Sequence, residues 1–236
     1  MIFKYLYKIF VLSAITVYYS ILVILLMRFK PNNEHFFRYI RSWAKTMIRS
    51  AAVDVKTIGL EHISDGKAYI FCSNHSSLFD IPVLFSILPN YVSIIYKKEL
   101  QKVPFFGYGM KSSPFVAIDR SHARSALDSL KQATKLLKDG FSMIIYPEGT
   151  RSKNGRLQLF KRGAFLLAAM SEADTVPVAI LGTNSIMPQG KKSFNACTVE
   201  VHISKPIALE GRTGKQAESF LQERVRAEML KYLQEN

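Results

Sequence analysis

Ala68-Tyr69-Ile70-Phe71-Cys72-Ser73 is an apolar run that passes directly into Asn74-His75-Ser76-Ser77-Leu78-Phe79-Asp80, after which Ile81–Leu88 has helical composition. The run reads as a buried strand, and Ser64-Asp65-Gly66-Lys67 before it reads as a turn. Pro82 is tolerable in the first turn of the helix that follows. Strand, polar turn and helix recur along the chain. Ser142–Tyr146 is a second such strand, and it ends in Pro147-Glu148-Gly149-Thr150-Arg151-Ser152. Further strands are expected at Val53–Ile58, Val92–Lys97, Phe115–Ile118, Val176–Leu181 and Ala196–Ile203. Helices are expected at His122–Lys138, where Leu127, Leu130 and Leu137 are helically spaced and Gly140 stops the run, and at Gln216–Leu233. Gly182–Lys192 reads as loop. Strands separated by helices specify an α/β domain with a mixed, partly parallel sheet flanked by helices.

His75 and Glu148 each follow directly on an expected strand, at its carboxyl end. Open α/β sheets hold ligands along that edge, so topology predicts that the two stretches converge on one crevice.

The N-terminal part has a different character. Ile9–Met27 carries no charge and is bracketed by Lys4, Lys8, Arg28 and Lys30. As a helix it is about 28 Å long, against roughly 30 Å of bilayer hydrocarbon. It is too long for the apolar region of a signal peptide, and no Ala-x-Ala-like site follows. The length is compatible with crossing the bilayer or with dipping into one leaflet. In the next helical stretch, 33–52, Phe36, Ile40, Trp43 and Met47 share one face and Arg38, Arg41, Lys45 and Arg49 the other. That is the pattern of an interfacial helix with cations toward headgroups; the alternative is a core helix with a solvated basic face. Residues 1–52 are therefore expected to be membrane-anchoring helices and 53–236 the α/β domain. The heavier basic cluster lies after the apolar run, which favours a cytoplasmic α/β domain at the inner membrane.

With 32 Lys+Arg against 18 Asp+Glu, the formal charge is +14. Such an excess points to nucleic acid, an anionic membrane surface or small phosphorylated ligands. No DNA- or RNA-binding signature is present, which leaves the latter two. Cys72 and Cys197 have neither CxxC nor metal-ligand spacing, so a disulfide scaffold and a zinc site are both disfavoured. A serine-hydrolase elbow, a His-Glu-x-x-His helix and a phosphate-binding P-loop are absent, so no metal or cofactor is expected. Gly107-Tyr108-Gly109 is too short for a dinucleotide fingerprint.

A neutral imidazole is the side chain that takes a proton near pH 7, and a carboxylate selects which ring nitrogen does so. His75 and Asp80 are five residues apart, about 140° around an ideal helix, and can meet only if His75 lies in the turn before the helix. Asp80 could instead cap backbone N–H groups as part of Ser77-x-x-Asp80. Gly149 permits left-handed backbone, and Arg151 offers a planar fork for a phosphate. Glu148 could orient that arginine or bond a substrate hydroxyl.

Five stretches together resemble the ordered blocks of the glycerolipid acyltransferases. They are Asn74-His75-x4-Asp80; Lys97-x-Glu99-Leu100 leading to Pro104-Phe105-Phe106-Gly107; Ile118-Asp119-Arg120; Pro147-Glu148-Gly149-Thr150-Arg151; and Val176-Pro177-Val178-Ala179. The resemblance covers about residues 50–205. One position departs from it: Pro114 stands where the family has glycine, six residues before Arg120. The resemblance implies that His75 acts as general base on a glycerol hydroxyl of lysophosphatidate, which attacks the thioester of acyl-CoA or acyl-carrier protein, with Asp80 steadying the imidazole. It further implies Lys97, Arg120 and Arg151 as candidates for the acceptor phosphate, and Glu148, Gly149, Thr150 and Asn74 in the pocket. Phe160-Lys161-Arg162-Gly163, through Lys161, resembles an extension of that pocket. Two other classes stay open. One is the same chemistry on glycerol 3-phosphate, a lysophospholipid or an acylated amine lipid; the other is a non-catalytic, basic membrane-binding protein.

Overall fold

The structure, a computed structural model, describes residues 2–119, 122–188 and 190–234. Among them one sheet forms from β1 (Val53–Ile58), β2 (Ile70–Ser73), β3 (Val92–Lys97), β4 (Val116–Ile118), β5 (Ser142–Ile145), β6 (Thr175–Leu181) and β7 (Cys197–Ile203). The order across it is β1-β7-β6-β2-β5-β3-β4. β6 and β7 are antiparallel, and every other neighbouring pair is parallel. The expected mixed, partly parallel α/β sheet is thus the observed fold. β2 and β5 are buried at every residue, as parallel strands covered on both faces must be.

Alternation along these strands decides which helix layer each side chain meets. Ile70 and Cys72 of β2, with Met143 and Ile145 of β5, meet the layer of α5 (Ala123–Lys138), α6 (Gly163–Ser171) and α8 (Gly214–Met229). Phe71 and Ile144 point the other way, into the cluster with Phe36 and Ile48 of α2 (Asn33–Ala51) and Val83 and Leu84 of α3 (Asp80–Ile87).

α1 (Ile2–Phe29) runs antiparallel along α2. The indole of Trp43 donates to Thr16 Oγ1 at 3.2 Å, and Lys8 donates to the Ser50 carbonyl near the other end. Asn32 caps α2 by accepting the His35 N–H at 3.0 Å. In the structure the apolar side of 33–51 is turned toward α1 and the α/β domain. Phe36 is fully buried, and Ile40, Trp43 and Met47 line an apolar cavity. Arg38, Lys45 and Arg49 are exposed, while Arg41 donates to the Asn90 carbonyl at 2.9 Å.

Among the described residues, three α-helices were not expected. α4 (Phe106–Ser112) contains two glycines, poor helix formers that close packing requires here. A Cβ at Gly107 would lie 2.3 Å from the Gln101 carbonyl oxygen, and one at Gly109 would lie 3.2 Å from Cβ of Ser20. α6 is short and almost wholly apolar, so it lacks the polar face that betrays a helix by periodicity. α7 (Thr183–Ile186) is a single turn within the stretch read as loop.

Candidate active site

Asp80 is the first residue of α3 and is fully buried. Its Oδ2 accepts from His75 Nδ1 at 2.7 Å, from the Ser76 N–H at 2.8 Å and from the Ser77 N–H at 2.9 Å. The two readings of this aspartate are therefore both true: it closes the turn and it binds the imidazole. His75 sits in that turn, ahead of the helix, which is how a five-residue spacing becomes a contact. An ionised carboxylate can only accept, so Nδ1 carries the hydrogen and Nε2 presents the lone pair. The ring of Tyr146 stacks on His75, with centroids 4.1 Å apart and planes 20° apart.

Asp80 has a second partner that sequence reasoning missed. Thr183 Oγ1 donates to Asp80 Oδ1, and the Ser76 hydroxyl completes the chain by donating to Thr183 Oγ1 at 3.0 Å. Thr183 stands two residues past the end of β6, the parallel neighbour of β2, so its arrival at the same sheet edge follows from topology. The available signal was Gly182-Thr183 at the end of a strand, within the stretch read as loop.

β5 is the other parallel neighbour of β2, and it brings the 147–152 turn against His75. Glu148 is buried, and its carboxylate serves backbone groups. Oε1 accepts the His75 N–H at 2.7 Å and Oε2 the Gln158 N–H at 3.0 Å. On the other side of the same residue, the Ser152 N–H donates to the His75 carbonyl at 2.7 Å. Glu148 was expected to orient Arg151 or bind a hydroxyl; in the structure its oxygens hold the His75 turn in register. Burial pushes the Glu148 carboxyl above its usual range, opposed by these two N–H donors and by His75.

Asn74 is corrected in the same sense. Its amide oxygen accepts the Ile180 N–H at 2.7 Å and its nitrogen donates to the Ile180 carbonyl at 2.9 Å, clasping β2 to β6. Gly149 has φ +74°, and a Cβ there would lie 2.9 Å from Cδ of Lys161, so the lysine stem lies over the glycine. Thr150, Arg151 and Lys161 are exposed beside this turn. Lys97 ends β3, two strands away from β2, and its ion-pair partner is Glu99 at 3.3 Å. Arg120 lies outside the described residues. Arg162 is committed to Glu218 of α8, with Nη2 to Oε1 at 2.9 Å. Among the described residues, no three His, Cys, Asp or Glu side chains are grouped to hold a metal ion.

Two cavities flank the turn. One, of about 490 Å³, is apolar and lies between α1, α2 and α3, with Leu12, Trp43 and Phe85 in its wall. Leu78 and Phe79, within the His75–Asp80 turn, border it. The other, of about 380 Å³, is bordered by Glu148, Thr150, Gln158, Lys161 and Arg226. Buried histidine–carboxylate pairing, an adjacent cationic turn and an apolar cavity are arranged along one edge of the sheet.

The sequence profile of the Acyltransferase family matches residues 54–181. A 1-acyl-sn-glycerol-3-phosphate acyltransferase of Saccharomyces cerevisiae is 34% identical over 86% of this chain and 68% of its own length. The chain belongs to the acyltransferase family. Within the family, a chloroplastic 1-acyl-sn-glycerol-3-phosphate acyltransferase of Arabidopsis thaliana is 37% identical over 76% of this chain and 51% of its own length. The chain spans about half the length of this relative and of its Brassica napus counterpart, 53% in the latter case. The crystal structure of the 1-acyl-sn-glycerophosphate acyltransferase PlsC from Thermotoga maritima is similar in fold, with a TM-score of 0.79 at 27% identity over 98% of this chain and 96% of that one. The similarity to PlsC thus extends over α1 and α2 as well as the α/β domain.

Proposed function

We propose that this acyltransferase moves a fatty acyl group from acyl-CoA or acyl-carrier protein to the sn-2 hydroxyl of 1-acyl-sn-glycerol-3-phosphate, giving phosphatidate. The observation that carries the reading is the 2.7 Å bond between His75 Nδ1 and a fully buried Asp80, which leaves Nε2 as the basic nitrogen. In this reading Nε2 takes the hydroxyl proton as the oxygen attacks the thioester carbonyl. The tetrahedral intermediate then collapses, the C–S bond breaks, and the departing sulfur takes the proton back from the imidazolium. Asp80 keeps the tautomer and stabilises the transient cation. No covalent acyl-enzyme is needed.

Arg151 and Lys161, beside the Gly149 turn, take the acceptor phosphate, Arg151 by a two-pronged contact. Thr150 belongs to the same pocket, and Lys97 and Arg120 are the further candidates for the acceptor phosphate. The apolar cavity takes an acyl chain. Nucleic acid has no place in this reading.

Residues 1–52 anchor the enzyme in the inner membrane, with residues 53–236 as the catalytic domain on its cytoplasmic side. α1 lies within one leaflet. Because α2 runs alongside it, a perpendicular α1 would draw the exposed Arg38, Lys45 and Arg49 into hydrocarbon, at roughly 2.5–3.5 kcal/mol for each cation at the bilayer centre.

The test is an acceptor panel. Purified enzyme receives labelled acyl donor with lysophosphatidate, glycerol 3-phosphate, a lysophospholipid lacking a terminal phosphate, or an acylated amine lipid. Lysophosphatidate should be preferred, and His75→Ala should lower its turnover by about 10²–10⁴-fold. Equal use of all acceptors would refute the substrate, and near-normal transfer by His75→Ala would refute the general base. Membrane binding without any transfer would favour a non-catalytic binding protein.

A further inference from the structure

From the end of β3 into α4 the chain presents a run of exposed apolar side chains. Leu100, Val103, Phe105 and Tyr108 are 38%, 44%, 52% and 65% exposed. Phe105 has φ +58° and ψ −56°, and the Phe106 N–H reaches back to the Pro104 carbonyl at 2.6 Å. This is the rare, positive-φ γ-turn, strained for any residue with a Cβ and more so for an aromatic one. The surroundings impose it. The Gly107 N–H donates to the Val103 carbonyl at 2.7 Å, and Gly107 itself is pressed onto the Gln101 backbone. Strain of this kind persists only where the structure over-determines it, and here its effect is to hold a phenyl ring out in solvent.

The charges around the turn are mainly positive, with Lys97 paired to Glu99 at 3.3 Å and Lys98 to Asp119 at 3.6 Å. Lys97, Lys98, Lys102 and Lys111 are all exposed, and Glu99 is the only acid between residues 97 and 111. The segment is also continuous with α1. Gly109 sits against Ser20, and Leu100 and Val103 line the same apolar cavity as Val17 and Ser20. Leu78, 52% exposed in the His75–Asp80 turn, lines that cavity too. Residues that both line a cavity and reach solvent mark its mouth.

We propose that residues 97–111 form a second membrane contact, made to an anionic phospholipid surface. The Val103–Tyr108 tip enters the acyl boundary, Lys102 and Lys111 meet headgroup phosphates, and the cavity mouth beside Leu78 faces lipid instead of water. Apolar side chains interleaved with cations are the pattern of interfacial segments, which is why the occupant is a bilayer and not another protein. The inference rests on the reading of α1 and α2 as a membrane anchor and adds the contact that orients the catalytic domain.

The test titrates the full chain with phosphatidylcholine vesicles containing phosphatidylglycerol. Phe105→Gly removes the ring and relieves the positive φ, so its thermal midpoint should equal or exceed that of the wild type. Its vesicle affinity should nevertheless fall about tenfold, as expected for a lost half-immersed aromatic. Turnover of detergent-dispersed acceptor should be unchanged, whereas KM for vesicle-borne acceptor should rise. In a Trp43→Phe background, Phe105→Trp should shift its emission to the blue on vesicles and be quenched by lipids brominated in the acyl chain. Wild-type protein that ignores vesicles would overturn the anchor reading and this inference together. Vesicle binding that Phe105→Gly does not weaken, with an unquenched tryptophan at 105, would overturn this inference alone. So would loss of self-association by Phe105→Gly with vesicle binding intact, which would assign the tip to a second copy of the chain.

Discussion

Glu148 accepts the backbone N–H of His75 at 2.7 Å, so a carboxylate from the loop after β5 fixes the His75 turn that follows β2. The same side chain accepts the Gln158 N–H at 3.0 Å, and the Gln158 carbonyl accepts from Arg226 Nη1 of α8 at 2.9 Å. The position of the imidazole is thereby tied to the C-terminal helix through one continuous chain of hydrogen bonds.

Glu148 should leave a signature in the pH dependence of stability. Burial raises its folded-state pKa above the unfolded value. The stability tied to its proton is therefore fully present below the unfolded pKa and is lost as pH rises through the folded one. Glu148→Gln has no proton to lose, and its amide would turn a donor toward one of two backbone N–H groups, costing about 1–3 kcal/mol. Urea unfolding from the ordinary glutamate range upward should give a falling component in the wild type that the variant lacks. Parallel curves would contradict this role.

Thr183→Val keeps the shape of a fully buried side chain and deletes the donor to Asp80 Oδ1. A hydrogen bond to a charged group contributes about 1.5–3 kcal/mol, so stability should drop by that order. Turnover should fall while KM for the acceptor holds, and Thr183→Ser should restore both. A rise in KM alone would place Thr183 on the substrate instead.

Asn74→Asp replaces the amide nitrogen that donates to the Ile180 carbonyl with an oxygen that cannot. The buried clasp between β2 and β6 should lose about 1–3 kcal/mol, measured by thermal or urea unfolding. Residual activity per folded molecule should show an unchanged acceptor KM. A KM effect in stable protein would return Asn74 to the substrate pocket.

The Tyr146 hydroxyl is buried without a hydrogen-bond partner among the described residues, while its ring stacks on His75. Tyr146→Phe retains the stack and removes an unsatisfied polar atom, so the melting temperature should stay level or rise. Tyr146→Ala should cost about 3–5 kcal/mol through the cavity it leaves, and should slow transfer by freeing the imidazole. A clear loss of stability in Tyr146→Phe would mean that the hydroxyl has a partner.

Much of the fold was legible because strand signals are local. Val53–Ile58 and Val92–Lys97 have the expected bounds, and the ends of β2 and β5 placed His75 and Glu148 on one edge. α4 and α6 were not legible, since Gly107, Gly109 and the apolar run of α6 answer to neighbours distant in the chain. The direction of α2's apolar face was undecided for the same reason: amphipathicity shows that a face is buried, not against what.

In the site, residue types and their order by themselves placed His75 in the turn ahead of Asp80 and a cationic turn after β5, because turn and strand positions are set within a few residues, while the contact between His75 and Asp80 came from the structure. Only the tertiary structure decided that Glu148 and Asn74 serve the backbone and that Thr183 joins Asp80. Those roles depend on which buried N–H and carbonyl groups lie within 3 Å, and that is fixed by strand order across the sheet, which no local pattern encodes.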